Sequence, residues 1–256
     1  MSDIIFGIHA VSEAMKSRER SFDYIAIAKD RTDPRIQRII DDARESGVSV
    51  RFVRREEIDR ETKTRTHQGV MAFTSRKKFS DLDEILENKR GRHAFVLVLD
   101  GIEDPHNLGA LLRSADGAGV DGVVIPERRA AGITGTVVKA SAGASEHLSV
   151  ARVVNIARAL EDLKARNVWV VGLDERGTQS YDEIDFNMDC ALVLGAEGKG
   201  LHDLVSRKCD LLVSIPMMGQ VASLNVSVAG GIVMYEVLRQ RRDAMKVVEP
   251  LPVKKK

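Results

Sequence analysis

The stretch that decides the fold reads ALVLGAEGKGL over residues 191–201 and, nine residues later, LLVSIPMMGQVASLNVSVAGGIVMYEVLRQRR over residues 211–242. Two short apolar runs, Ala191–Leu194 and Leu211–Ile215, each end in a turn rich in Gly, Pro, Ser or Asn. The second turn leads into a predicted helix, on which small and apolar residues recur at helical spacing: Val226, Ala229, Gly230, Val233 and Val237. Open α/β sheets bind ligands where strands end in such loops. We therefore expect the functional site here.

Three further apolar runs, AFVLVLD, GVVIP and VWVVGLD, precede ALVLGA and LLVSIP, so that five such runs lie between residues 94 and 216. Near-continuous apolar runs are typical of strands covered on both faces, and hence of a mostly parallel sheet. Helices are predicted between the strands, at Leu108–Ala118, Thr136–Ser145, Asn155–Ala165, His202–Lys208 and Val226–Arg241. The pattern predicts an α/β fold, with a mostly parallel sheet and helices on both of its faces.

The beginning of the chain predicts a separate, smaller α/β unit. Asp33–Pro34 is a strong helix start, and the helix then presents apolar residues at Ile36, Ile39, Ile40 and Ala43. Strand candidates flank it at Tyr24–Ala28, Val48–Val53 and Gly69–Thr74. The predicted organisation is a small α/β domain (1–75), a linker with a short helix around Ile85 (76–92), the main domain (93–245) and a disordered tail (246–256).

Composition excludes several classes of protein. The 256 residues are 43% hydrophobic and 30% charged, as in ordinary soluble globular domains. No apolar run approaches the ~20 residues of a membrane span, and no secretion signal is recognisable at the start. Two isolated cysteines, Cys190 and Cys209, argue against a disulfide framework or a metal cluster. We therefore expect a cytoplasmic protein without a metal. Its net charge of +1 neither favours nor disfavours nucleic acid.

Residues 99–119, LDGIEDPHNLGALLRSADGAG, place two polar side chains on a helix that begins at Asp104–Pro105. Asn107 lies near the start of the helix, at the carboxyl end of the preceding strand. Arg113 lies about 150° from the apolar stripe, at ~100° per residue. Either residue has a simpler interpretation, because Asn107 would also help to cap the helix and Arg113 would also serve as a solvated surface charge.

The glycines of GAEGKGL match neither GxGxxG nor a P-loop, which disfavours a nicotinamide enzyme. They do permit close approach of the backbone to a ligand. Glu197 in this loop is either catalytic or simply solvated. Ser223 and Asn225 bracket the start of the last helix, where they either cap it or hold a ligand.

The words NLGALLRSA, GAEGKGL and IPMMGQVASLNVSVA, together with FGIHAV and HQGV near the start, resemble the SpoU (TrmH-type) branch of the SPOUT methyltransferases. The resemblance covers the whole chain except the tail. It is strongest to bacterial enzymes that methylate the ribose 2′-oxygen of a guanosine in large-subunit ribosomal RNA. It implies a C-terminal trefoil knot, S-adenosylmethionine as cofactor, a homodimer, and an RNA-binding domain in the first 75 residues.

The resemblance also implies roles for individual residues. Arg113 matches the family's catalytic arginine, with four further catalytic positions at Asn107, Glu197, Ser223 and Asn225. An uncharged, glycine-lined cradle would hold the cofactor through backbone groups around Gly195, Ile215 and Leu224. Polar side chains in the N-terminal unit would contact RNA, although four acidic residues interrupt the run. These side chains are Arg51, Arg54, Arg55, Lys63, Arg65, His67 and Gln68.

Three alternatives stay open. A transfer-RNA ribose methyltransferase would share the same catalytic domain. A non-catalytic RNA-binding homologue would share the fold, although the intact set of catalytic positions argues against it. Within the enzyme, Arg113 acts either as a general base or as an electrostatic and positioning group. The second role suits a guanidinium better, since its pKa lies above ~12.

Overall fold

The computed structural model describes residues 2–30, 33–198 and 200–248. The chain divides into two compact units. The first contains the residues up to Phe79 together with 103–116 and 131–148, and the second contains the remainder. The predicted domains are contiguous, whereas the first unit takes in two segments from further along the chain. The domain boundaries predicted from the sequence stay a prediction.

The first unit opens with seven elements: β1 (Asp3–Phe6), α1 (Ile8–Ser17), β2 (Phe22–Ala28), α2 (Pro34–Glu45), β3 (Val50–Val53), α3 (Arg55–Thr62) and β4 (Val70–Thr74). Its four strands form one sheet in the order β1-β4-β2-β3. β4 runs antiparallel to both of its neighbours, and β2 and β3 are parallel.

The rest of the chain contains α4 (Leu82–Glu87), β5 (Phe95–Asp100), α5 (Pro105–Ala118), β6 (Gly122–Pro126), α6 (Gly135–Ala140), β7 (Ser149–Val153), α7 (Ile156–Ala165), β8 (Trp169–Leu173), β9 (Gln179–Ser180), β10 (Cys190–Gly195), α8 (Asp203–Lys208), β11 (Leu211–Ser214) and α9 (Val226–Val248). The strands form a seven-stranded sheet in the order β7-β6-β5-β10-β8-β11-β9, and all neighbouring pairs are parallel. The prediction of a mostly parallel sheet is confirmed.

Burial explains why these strands were recognisable. All six residues of β5 and all six of β10 are buried, as expected for strands covered on both faces. On one face, Leu160 of α7 and Val205 of α8 belong to one core cluster with Val193 of β10. Ile85, in the predicted linker, is 1% exposed and belongs to the same cluster. The short helix predicted around Ile85 is α4.

Local signals predicted α2 but not α3. Asp33 caps α2 as expected, because its Oδ1 accepts a hydrogen bond of 2.9 Å from the backbone N of Arg35. The four predicted apolar residues of α2 are all buried. Helix α3 has only one buried residue, Ile58, so its sequence shows no apolar periodicity.

The helix predicted over Thr136–Ser145 is wrong in its second half. Helix α6 ends at Ala140, Ala142 and Gly143 adopt positive φ angles of 52° and 88°, and a 3-10 turn follows at Ala144–Glu146. A Cβ on Gly143 would lie 2.5 Å from the Cβ of Glu13 in α1. The chain therefore leaves the helix where α1 packs closely against it.

The turn ends in an ion pair buried within the first unit. Arg20 donates from Nε to Glu146 Oε2 at 2.7 Å and from Nη2 to Oε1 at 3.1 Å, and both side chains are fully buried. Burial alone would lower the pKa of Arg20, but the hydrogen bonds and charges of Glu146 and Asp3 outweigh it and raise the pKa. The pair ties the 3-10 turn to the segment that precedes β2.

The last helix is longer than predicted. Helix α9 runs on to Val248, so residues 246–248 of the predicted disordered tail are helical, and residues 249–256 lie outside the described residues. In the part of the chain that the structure describes, no helix has both the length and the apolar character needed to cross a membrane. Over the same residues, no group of three or more His, Cys, Asp or Glu side chains is arranged to hold a metal. The trefoil knot stays a prediction.

Candidate active site

A pocket lies at the carboxyl ends of three neighbouring strands, β10, β8 and β11. Its walls come from the turn at 173–175, from the glycine loop (194–198 with Gly200), and from residues between Ile215 and Ala229. The pocket is a cavity of about 170 Å³ that is open to solvent. This is the edge at which parallel sheets bind their ligands.

The glycine loop folds back tightly on itself. The backbone N of Gly200 donates to the carbonyl of Ala196 at 3.0 Å, which closes the loop. A Cβ on Gly195 would lie only 2.1 Å from the carbonyl carbon and oxygen of Gly200. Gly198 and Gly200 adopt positive φ angles of 74° and 65°. Glycine is therefore required here for conformational and steric reasons.

The start of α9 is joined to this loop. Asn225 Oδ1 accepts from the backbone N of Ser227 at 2.9 Å and from its Oγ at 2.6 Å, so the capping interpretation of Asn225 is confirmed. Its Nδ2 donates to Glu197 Oε1 at 3.3 Å. Asn225 therefore caps α9 through its Oδ1 and connects α9 to the glycine loop through its Nδ2.

The structure brings most of the predicted site residues in the second unit together. The cofactor positions Gly195, Ile215 and Leu224 line one pocket, and Glu197 and Ser223 line it with them. Asn225 reaches this wall through its hydrogen bond to Glu197. The two predicted motifs in this unit, GAEGKGL and IPMMGQVASLNVSVA, therefore converge on one site.

The other two predicted catalytic residues lie on α5, in the first unit. The helix begins as predicted, since Asp104 Oδ1 accepts from the backbone N of His106 at 3.0 Å. Its predicted apolar stripe is buried, with Leu111 and Leu112 both 0% exposed. Asn107 is 8% exposed. Arg113 is exposed, as its position away from the stripe predicted.

Sequence reasoning missed one wall of the pocket, the turn after β8. Asp174, Glu175 and Glu197 line the pocket, so the expectation of an uncharged cradle is wrong. The sequence DERG directly follows the predicted strand VWVVGL, and a turn at the carboxyl end of a parallel strand is a common position for a ligand site. This sequence could have indicated the missing wall. It did not reveal that β8 lies between β10 and β11.

Four of the predicted RNA-binding side chains are exposed on the first unit: Arg51, Arg54, Lys63 and Arg65. Arg55, in the first turn of α3, is half-buried. The guanidinium carbon of Arg51 lies 3.8 Å from the centroid of the Tyr24 ring. These cations form a surface set whose geometry permits contact with a phosphate backbone.

His67 corrects this set, because its ring is fully buried. Its Nδ1 accepts from the backbone N of Gly69 at 3.0 Å, so Nε2 carries the proton that is shared with Asp59 Oδ1 at 2.7 Å. Gln68 Oε1 accepts from the backbone N of Ile8 at 3.0 Å. The words FGIHAV and HQGV therefore meet in one structural junction, and His67 presents no surface to RNA.

Comparisons with known proteins agree with these features. Residues 94–235 match the model of the SpoU rRNA Methylase family, and residues 4–80 match a model described as RNA 2′-O ribose methyltransferase substrate binding. A TrmH family tRNA/rRNA methyltransferase of Bacillus subtilis (strain 168), YacO, is 44% identical over 241 residues, which cover 93% of this chain and 96% of the relative. The 23S rRNA (guanosine-2′-O-)-methyltransferase RlmB of Haemophilus influenzae is 42% identical over 245 residues, with coverages of 94% and 99%.

Solved structures share the fold. The SpoU methyltransferase AviRb of Streptomyces viridochromogenes, crystallised with AdoMet, superposes with a TM-score of 0.79 at 24% identity, covering 94% of this chain and 91% of AviRb. The family model spans more than half of the chain. The chain belongs to the SpoU rRNA methylase family and is an S-adenosylmethionine-dependent RNA methyltransferase.

Proposed function

We propose that this enzyme methylates the ribose 2′-oxygen of a guanosine in large-subunit ribosomal RNA, and that it does so in the cytoplasm. The observation that supports this substrate is the 42% identity to RlmB, which extends over 94% of this chain and 99% of that protein. The TrmH name of the Bacillus relative keeps a transfer-RNA substrate as the second candidate.

Methylation mapping tests the substrate directly. Ribose methylation is read at every position of ribosomal and transfer RNA from cells with and without the gene. We expect one guanosine of the large-subunit RNA to lose its 2′-O-methyl group, and the wild-type gene to restore it. Loss of a methyl group from a transfer RNA alone would establish the second candidate. An unchanged pattern in both RNAs would favour a non-catalytic homologue.

The glycine-lined wall of the pocket fits S-adenosylmethionine. The backbone around Gly195 comes so close to Gly200 that no side chain fits between them, which leaves peptide groups as the surface available to a ligand. Ile215 and Leu224 add backbone groups and apolar side chains to the same lining. The cofactor supplies an already activated methyl group, so the protein's task is to hold the donor and to position the acceptor hydroxyl.

Arg113 is assigned the positioning of the RNA. A guanidinium keeps its proton at neutral pH, so it is a poor general base. It binds phosphate through paired hydrogen bonds and stabilises negative charge on an oxygen. Asn107, on the same helix, would assist it. Glu197 is held by Asn225 at 3.3 Å and would orient groups at the cofactor instead of accepting the proton.

The exposed cations of the first unit are assigned to RNA. Replacing both Lys63 and Arg65 with Ala should weaken RNA binding and reduce the slope of log K against log salt concentration by roughly one unit per lost phosphate contact. Binding measured between low and moderate salt checks this. Arg38→Ala, an exposed cation on α2, is the matched control and should bind RNA normally. RNA binding by the double variant with an unchanged slope would remove these residues from the interface.

We also propose that the enzyme is a homodimer, and that one face of α9 lies in the interface. Val228 and Tyr235 on α9 are 50% and 51% exposed, and Met218 and Val221 in the preceding loop are 97% and 69% exposed. Exposed apolar side chains on one helix and the loop before it indicate an interaction surface. A symmetric partner would cover it with the same surface of its own.

A charge on this surface should separate the subunits. Tyr235→Glu is expected to convert a dimer into a monomer at micromolar concentration, because burying an unpaired carboxylate in an apolar interface costs several kcal/mol. Light scattering coupled to size-exclusion chromatography measures the mass. Leu204→Glu on α8 introduces the same charge at a similarly exposed apolar position and should leave the mass unchanged. A dimeric Tyr235→Glu protein would place the interface elsewhere.

A further inference from the structure

Hydrogen bonds and close packing fix the turn after β8. The backbone N of Gly177 donates to the carbonyl of Asp174 at 2.9 Å, and the backbone N of Arg176 donates to Asp174 Oδ1 at 3.0 Å. A Cβ on Gly177 would lie 2.4 Å from the carbonyl carbon of Val213, so the turn packs directly on β11. Glu175 lies within this turn, between Asp174 and Arg176.

The neighbouring carboxylate, Asp174, is already neutralised. Arg176 donates to it from Nε at 2.7 Å and from Nη2 at 2.8 Å, and the backbone N of Leu201 approaches its Oδ2 at 3.4 Å. Hydrogen bonds from Arg176 hold the pKa of Asp174 below its usual value, although its burial opposes them. Asp174 and Arg176 thus form a compensated pair that shapes the turn.

Glu175 differs from Asp174. It lines the pocket and is exposed, and its carboxylate makes no hydrogen bond or ion pair with the described residues. Among the described residues of the lining, the ionisable side chains are Asp174, Glu175 and Glu197, and all three are carboxylates. Since Asp174 is paired with Arg176, Glu175 contributes negative charge to the pocket wall.

We propose that Glu175 is a cofactor-binding residue that favours the cationic methyl donor over the neutral thioether product. The inference rests on the proposed placement of S-adenosylmethionine in this pocket. The donor carries a positive sulfonium, which becomes an uncharged thioether once the methyl group has left. A nearby carboxylate therefore attracts the donor more strongly than S-adenosylhomocysteine. Glu175 would help the enzyme to release its product and to rebind the donor.

Binding of three ligands to the full-length protein tests this by calorimetry: S-adenosylmethionine, sinefungin, which carries an ammonium near the sulfonium position, and S-adenosylhomocysteine. Glu175→Gln keeps the shape of the side chain and removes its charge. It should weaken the two cationic ligands about three- to tenfold, the range for a partly solvated charge pair, and change S-adenosylhomocysteine less than twofold. The difference should shrink at high salt.

Glu127→Gln is the matched control, because Glu127 is an exposed glutamate that follows another strand, β6, and lies outside the pocket lining. Its affinities should equal those of the wild type. Equal weakening of all three ligands by Glu175→Gln would assign Glu175 a purely structural role and overturn the inference, as would no weakening at all. Failure of the wild-type protein to bind any of the ligands would instead overturn the proposed pocket.

Discussion

Arg113→Ala is expected to lower kcat for RNA methylation by about 10²- to 10³-fold, the usual loss when one charge-stabilising group is removed from an active site. Affinity for S-adenosylmethionine should stay within twofold, because Arg113 lies on α5 and not in the lining of the pocket. Folding should be preserved, since the side chain is exposed and the buried stripe of α5 is untouched. Single-turnover methylation and calorimetry measure the two effects separately.

Two further variants show which property of the Arg113 side chain matters and whether the effect is specific to this position. Arg113→Lys keeps the positive charge but loses the planar fork, so it should recover only part of the rate if paired contacts to phosphate matter. Arg158→Ala removes an exposed arginine from α7 and should methylate normally. A rate for Arg113→Ala within threefold of the wild type would remove Arg113 from the catalytic residues. Loss, in Arg113→Ala, of the part of the pH–rate profile in which the rate rises with pH would restore the general-base role.

The main sheet was predictable because the burial of its strands produces a recognisable pattern of apolar residues in the sequence. Strands such as β5 and β10 are buried on both faces, which requires continuous apolar runs. Helix α9 was predictable for a related reason: Val233 and Val237 are fully buried and recur at helical spacing. Where a single buried residue anchors an element, as Ile58 anchors α3, no such pattern exists.

The site was predictable only in part, because strand order is not a local property. The motifs after β10 and β11 were recognisable as loops, yet those two strands are not neighbours in the sheet. β8 lies between them and pairs with both, and it places Glu175 in the same pocket wall. The prediction that His67 contacts RNA was wrong for a different reason. Its polar character indicated a surface role, but its buried ring hydrogen-bonds to Asp59 and to the backbone of Gly69.

Gly195→Ala tests whether the glycine loop holds the cofactor, because it adds a methyl group where the loop is closely packed. The new Cβ would lie 2.1 Å from the carbonyl of Gly200, far inside the ~3.5–4.0 Å of a normal contact between carbon atoms. The backbone at the wall assigned to the cofactor must therefore move by more than roughly 1 Å. We expect affinity for S-adenosylmethionine to fall about 100-fold or more, a loss of at least ~2.8 kcal/mol. Calorimetry measures it.

Overpacking should also lower the free energy of unfolding by about 1–3 kcal/mol, so the variant stays folded and its binding can be measured. Thermal unfolding checks this in the same preparation. Gly219→Ala is the matched control, since a Cβ there meets no atom within 4 Å, and its affinity and stability should be normal. Because the methyl group of Gly195→Ala reaches backbone and not a flexible side chain, no rotamer change relieves the overlap. A folded Gly195→Ala protein that binds the cofactor within threefold of the wild type would show that the glycine loop does not hold it.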